Sequence, residues 1–228
     1  MRPFKIAGML FVLAMAISAF ASTAAFALPE FLDHVPSTFT ATGDKPELVD
    51  PATGLNIKCE KLLITLPNGS LASTTTINAT IDFEQCETSG FAINSLGDKS
   101  DTEGKKLGLI LVPVKGQLCY IGEAAKKEAG VFFKIPPLHI EVPAVAQLLE
   151  IINNPTTKEE SSVVGLLTPN NKLQTTPFTL VTTGIKQECD GKKAQILLEI
   201  EHNKKPLVAE QKTTVAITFD EDEELMVV

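Results

Sequence analysis

Ile77-Asn78-Ala79-Thr80-Ile81-Asp82-Phe83 decides the fold class. Apolar residues hold the odd positions and polar residues the even ones. Successive side chains of an extended strand point to opposite faces, so this segment has one face against a core and the other toward water. Working outward, the same habit recurs: short apolar or alternating runs rich in Thr, Val and Ile, each bounded by turn residues. Upstream, residues 37–42 and 55–66 read as strands, the second closed by Pro67-Asn68-Gly69, an Asn-Gly turn signal. Downstream, residues 106–114 and 117–121 read as a hairpin about Val114-Lys115-Gly116. Residues 129–135 run to Pro136-Pro137, and 138–142 resume.

One segment departs from this rhythm. Pro143 suits a first helical turn, and Val142, Val145, Leu149 and Ile152 share a helical face before Asn153-Asn154-Pro155. A short helix is therefore expected near 143–152. Strands are expected again at 161–167, at 178–189 with 194–202 as a hairpin about Asp190-Gly191, and at 213–219. About ten short strands separated by turns predict an all-β fold, mainly antiparallel, as a sandwich or barrel. No internal repeat and no Pro/Ser linker divides residues 28–228, which read as a single β-rich domain.

The chain has 228 residues, and its first part has a different character. Arg2 and Lys5 precede an uncharged apolar run over 6–21, and Ala25-Phe26-Ala27 places small residues where signal peptidase cuts. Residues 1–27 read as a secretory signal peptide with cleavage after Ala27, and the run is short for a membrane span. The expected localisation is secreted, with no stable membrane anchor after cleavage. Removing the leader leaves 18 Lys and no Arg against 28 acids, a balance of −10. An acidic surface without the residue best suited to bidentate phosphate contacts excludes nucleic acid and anionic membranes as partners. The leader also takes four of the twelve Phe, and the mature chain keeps only Tyr120 beside the other eight, with no Trp. Stacking surfaces for sugars or bases are scarce.

Cys59, Cys86, Cys119 and Cys189 all lie beyond the leader. An even count in an exported chain predicts two structural disulfides. Of the three possible connectivities, Cys59 with Cys86 and Cys119 with Cys189 is favoured, because the first two flank one β-rich segment. The other two stay open at this point. No C-x-x-C and no His at ligand spacing from a Cys supports a metal or redox role.

Motifs for chemistry are few. There is no G-x-S-x-G, H-E-x-x-H, Walker loop or G-x-G-x-x-G, and no cofactor is implied. The three His, His34, His139 and His202, are scattered. The run Asp220-Glu221-Asp222-Glu223-Glu224 offers Asp220, Asp222 and Glu224 as oxygen ligands for a low-affinity cation site, against the plainer reading of a solvated acidic end. Two classes of function follow: a non-enzymatic exported β protein with a structural or binding role at the cell surface or outside it, or a secreted hydrolase whose carboxylates converge only in the fold. For the hydrolase, Glu141, Glu150, Glu199 and Glu201 are the candidates. A small-ligand β-barrel is a third reading.

Val163-Val164-Gly165-Leu166-Leu167-Thr168-Pro169-Asn170-Asn171-Lys172 with Thr175-Thr176 resembles a stretch of uncharacterised secreted β-rich proteins of soil actinobacteria. Phe39-Thr40-Ala41-Thr42 before Cys59, Phe83 near Cys86, Pro206-Leu207, Glu210-Gln211, Thr213, Phe219 and the acidic close fit the same group. The resemblance implies a secreted β-rich protein and carries no activity with it.

Overall fold

The computed structural model describes residues 29–31, 39–66, 73, 75–96, 107–122, 127–170, 173–174, 177–200, 205–219 and 223–226. The leader and the Asn68-Gly69 turn lie outside them. In chain order the first strands are β1 (Glu30–Phe31), β2 (Phe39–Asp44), β3 (Glu47–Val49), β4 (Asn56–Lys58), β5 (Lys61–Thr65), β6 (Thr76–Glu84), β7 (Glu87–Thr88), β8 (Phe91–Ala92) and β9 (Asn94–Ser95). The long strands β10 (Ile110–Ile121) and β11 (Glu128–Ile135) follow, then β12 (Leu138–Val142), β13 (Gln147–Ile151), β14 (Ser161–Thr168), β15 (Leu173–Gln174) and β16 (Phe178–Val181). The last are β17 (Glu188–Cys189), β18 (Lys192–Lys193), β19 (Ile196–Ile200), β20 (Leu207–Lys212), β21 (Thr214–Phe219) and β22 (Glu223–Met226). The fold is nearly all β and antiparallel, as the alternation in β6 predicts.

Two tiers share one ring order. The upper tier is a closed eight-stranded barrel, β10-β11-β14-β16-β21-β2-β5-β6. The lower tier is a nine-stranded sheet, β9-β12-β13-β19-β20-β3-β4-β7-β8. Its two ends, β8 and β9, are separated only by the fully buried Ile93, so the sheet curls until its edges meet. Five chain segments run from one tier straight into the other: β2 to β3, β4 to β5, β6 to β7, β11 to β12 and β20 to β21. They bend at a waist formed by Lys45-Pro46, Cys59-Glu60, Gln85-Cys86, Pro136-Pro137 and Thr213. Lys45 and Gln85 take positive φ there, 48° and 53°. One hydrophobic core runs through both tiers, from Ile64 and Val215 above to Ile140, Leu149 and Leu198 below.

The favoured cysteine pairing forms. Cys59–Cys86 fastens two neighbouring bends of the waist, and Cys119–Cys189 ties the β17–β18 hairpin to the outer face of β10. At the far end of the barrel, β1 pairs with β22 and sets Phe31 against Phe178 and Phe219, with ring centroids 6.1 and 5.1 Å apart in edge-to-face geometry. Among the described residues no helix is long and apolar enough to cross a membrane.

Three expectations are corrected. The helix near 143–152 is a 3₁₀ turn, Pro143–Val145, ended by Ala146 in the left-handed region, and then strand β13. Residues 143–146 are the loop of the β12–β13 hairpin, in which Val142 faces Gln147. A three-and-four spacing over ten residues does not separate helix from strand, and β13 gains two strand partners, β12 and β19. Val114-Lys115-Gly116 does not turn but lies inside β10. Gly116 faces Phe133 on β11, and a Cβ at Gly116 would sit 2.9 Å from that ring, so the glycine makes room for an aromatic neighbour. Residues 178–189 and 194–202 do not form one hairpin: β16 lies in the barrel, β19 in the lower sheet, and only β17 and β18 pair about Asp190-Gly191.

Gly43 of β2 is as tightly placed, since an added Cβ would lie 2.9 Å from the carbonyl oxygen of Thr214 on β21. Gly43→Ala therefore forces backbone apart and is expected to cost about 1–3 kcal/mol in urea unfolding. Asp50 is completely buried in the turn between β3 and β4. The Thr53 hydroxyl holds its carboxyl below the usual 3.8; burial opposes this, and the N–H groups of Ala52 and Thr53 add to it. A depressed carboxyl stabilises the fold above its unfolded value and loses that contribution as pH falls through the folded one. Asp50→Ala is expected to be about 1–2 kcal/mol less stable than the parent at pH 7. That gap should narrow below the ordinary value of 3.8, measured by unfolding at several pH values.

Candidate functional site: a notch at the waist

The ring is not continuous everywhere. Between β16 and β19 the chain leaves the wall, forms the β17–β18 hairpin outside it, and returns. Pairing of β14 with β16 stops at Leu166 and Val181, and pairing of β19 with β20 stops at Ile196 and Ala209. A notch of about 340 Å³ opens where these pairs part, lined by Ser162 and Val163, residues 182–185, Gln187, residues 194–196 and residues 208–212.

The side chain of Gln187 replaces the missing strand. Its Oε1 accepts the Val164 N–H at 2.8 Å, and its Nε2 donates to the carbonyls of Val164 and Thr182 at 3.1 and 3.4 Å. A carboxamide carries both an acceptor and two donors, which lets one side chain imitate a peptide unit of a neighbouring strand. Thr182 closes the other lip. Its N–H donates to Thr213 O at 3.0 Å, and its hydroxyl donates to Gln211 O at 2.8 Å while accepting the Thr213 N–H at 3.0 Å. Below, Ser162 N–H donates to Gln195 O at 2.8 Å, and Ser161 Oγ accepts the Leu197 N–H at 3.0 Å.

The hairpin that carries Gln187 is held by three kinds of contact. Besides the Cys119–Cys189 disulfide, Asp190 N–H donates to Tyr120 O at 3.0 Å and Tyr120 N–H to Asp190 Oδ1 at 3.1 Å. Cys119, Ile121, Val164, Cys189 and Ala194 form a second small core beneath it.

Behind the notch the centre of the ring holds a void of about 70 Å³, lined chiefly by apolar side chains of both tiers. Such a space is small beside the roughly 300–1,000 Å³ of a pocket that encloses a drug-sized ligand. Four residues, Val163, Thr182, Ile196 and Gln211, line both the void and the notch.

The carboxylates named from sequence lie elsewhere. His139, Glu150 and Glu199 form a row across β12, β13 and β19, with His139 opposite Glu150 and Glu150 opposite Glu199. His139 Nδ1 is 2.9 Å from Glu150 Oε1. Glu141 is two residues along β12, opposite Leu148. None of Glu141, Glu150 and Glu199 lines the void or the notch. Glu150 and Glu199 stand side by side on one sheet face, whereas glycoside hydrolysis needs carboxyl groups facing each other across a substrate. Glu201, His34 and His202 lie outside the described residues, as do Asp220 and Asp222. Glu224 sits in β22 opposite Leu173. Sequence reading missed the notch because its residues come from four separated segments. The one local signal is the break in alternation over 182–187.

Compared with known protein families, curated proteins and solved structures, the chain matches none of them.

Gln187→Leu keeps the bulk but leaves the Val164 and Thr182 groups without these partners. It is expected to lower unfolding stability by about 2–3 kcal/mol. Gln187→Glu should be worse, because a carboxylate cannot donate to the two carbonyls. Reducing Cys119–Cys189 should cost up to roughly 4.5 kcal/mol on the chain-entropy scale. It should also raise amide exchange first in the β17–β18 hairpin and at Gln187, read by mass spectrometry.

Proposed function

We propose that this protein is an exported, disulfide-fastened β module that acts by binding, outside the cell or at its surface, and that the notch at the waist is its binding surface. The observation that carries this reading is the notch itself. The ring breaks there, and its walls combine apolar side chains with neutral hydrogen-bonding ones and the charges of Glu210 and Lys212. Loop-built sites on a rigid β framework are a common way to place recognition groups. Two disulfides among strands suit an oxidising compartment. The leader read over residues 1–27, cleavage after Ala27 and the likeness to secreted actinobacterial proteins belong to the same proposal.

The test has two arms. The full chain is expressed in an exporting bacterial host and recovered from the medium. Intact-mass analysis is expected to show a chain beginning at Leu28 with both cysteine pairs oxidised. Retention inside the cell with four free thiols overturns the export reading. The recovered protein is then assayed against chromogenic glycosides, esters and peptides, with no turnover expected above background. Turnover abolished by Glu150→Gln or Glu199→Gln would establish the hydrolase instead.

A further inference from the structure

We infer that the notch and the void behind it form one two-part site for a neutral, single-tailed aliphatic amphiphile with a compact hydrogen-bonding head. The inference rests on the binding reading above and names the ligand class it implies. The first ground is contiguity. Val163, Thr182, Ile196 and Gln211 line both spaces, so the notch and the void adjoin at these side chains.

The second ground is chemistry graded along the path. The outer part offers the carboxamides of Gln195 and Gln211 and the Thr183 hydroxyl. Its two charged residues, Glu210 and Lys212, offset one another, which favours no net charge on a head group. Among the described residues no aromatic side chain lines it. The inner part is apolar, bounded by Val163, Ile196, Leu180 and Val215. A charged group there would bear a heavy desolvation cost.

Thr213 is 7% exposed and also lines the void, and its Oγ1 has no hydrogen-bond partner among the described residues. An aliphatic tail end offers it none, so this hydroxyl adds nothing to affinity. The void, about 70 Å³, is roughly half of the ~150 Å³ that admits benzene. It suits the last two or three carbons of a chain, on the order of the volume per atom that benzene uses. The rest of the tail lies between Val163 and Ile196, and the head lies in the notch.

The experiment uses the oxidised exported chain with methyl and amide labels for NMR, titrated with hexanamide. Acetamide supplies the head without the tail, and sodium hexanoate supplies the tail with a charged head. Hexanamide is expected to shift the methyls of Val163, Ile196 and Val215 together with the side-chain amides of Gln195 and Gln211. Its apparent affinity should exceed that of acetamide and of hexanoate at least tenfold. Thr213→Val, near in shape but without the unpaired hydroxyl, should leave binding equal or tighter, and a several-fold loss would overturn the placement of the tail in the void. Val215→Ile fills part of the void and should weaken it while leaving thermal stability equal or higher, which separates lost binding from lost folding. Shifts confined to the notch, or equal binding of acetamide, overturn the two-part site but leave a binding role at the notch standing. Absence of any shift overturns it as well, and the export and turnover assays then judge the broader reading independently.

Discussion

A strand that leaves one sheet and enters another must bend without abandoning its backbone hydrogen bonds, and this protein meets that constraint five times around one waist. Each bend would expose polar groups in the middle of a continuous core if its neighbours did not bend with it. The paired bends answer one another. Lys45 N–H reaches Glu60 O at 3.2 Å, Cys59 N–H reaches Pro46 O at 3.0 Å, and Glu60 N–H reaches Glu84 O at 3.0 Å. Neighbouring corners therefore turn as a set. Cys59–Cys86 locks two of them covalently, which confines the unfolded chain by roughly 3.5 kcal/mol on the loop-entropy scale. Where a bend falls at Pro136-Pro137 the chain needs no donor, since proline has none to leave unpaired.

The notch is what remains where the same solution is not available. β16 and β19 occupy equivalent places in the two tiers, but the chain between them makes the β17–β18 excursion instead of a simple bend. The wall is then short of backbone partners at Val164 and Thr182, and Gln187 supplies them from its side chain. Placing that side chain correctly requires a fixed hairpin, which the Cys119–Cys189 disulfide and the Tyr120–Asp190 exchange provide. The two disulfides thus divide the labour: one holds the through-strands of the waist, the other holds the patch over the break between β16 and β19.

What the sequence revealed, and what it hid, follows from which interactions are local. The alternation in β6 survives intact because every residue from Thr76 to Phe83 has a partner on β10 and the strand keeps one face inward. The Cys59–Cys86 pairing was readable because both cysteines lie just outside the strands they join, β5 and β6. Gly116 was misread as a turn because the reason for a glycine there, the Phe133 ring, is on another strand. The 143–152 segment was misread because Pro143 suits the start of a 3₁₀ turn as well as an α-helix, and only β19 on the far side of β13 decides for a strand. Likewise the sequence shows four carboxylates, but that Glu150 and Glu199 become cross-strand neighbours is a fact of register.

The void and the notch are best understood together as the cost of joining two tiers. Side chains converge well within a tier, where register sets their spacing. At the waist five strands change direction over one or two residues, and packing there leaves a gap lined by Ile57, Leu62, Val112, Ile140 and Ile151. Natural cores rarely keep such space, because lining atoms forgo dispersion contacts across it. Its position decides whether it can matter. A void sealed by continuous strands would be a defect in packing and nothing more. Here it adjoins an interval of wall made from side chains, where Val163, Thr182, Ile196 and Gln211 line both spaces. The boundary between the two spaces is therefore drawn by a few side chains, of which Thr182 is held by its bonds to Gln211 and Thr213.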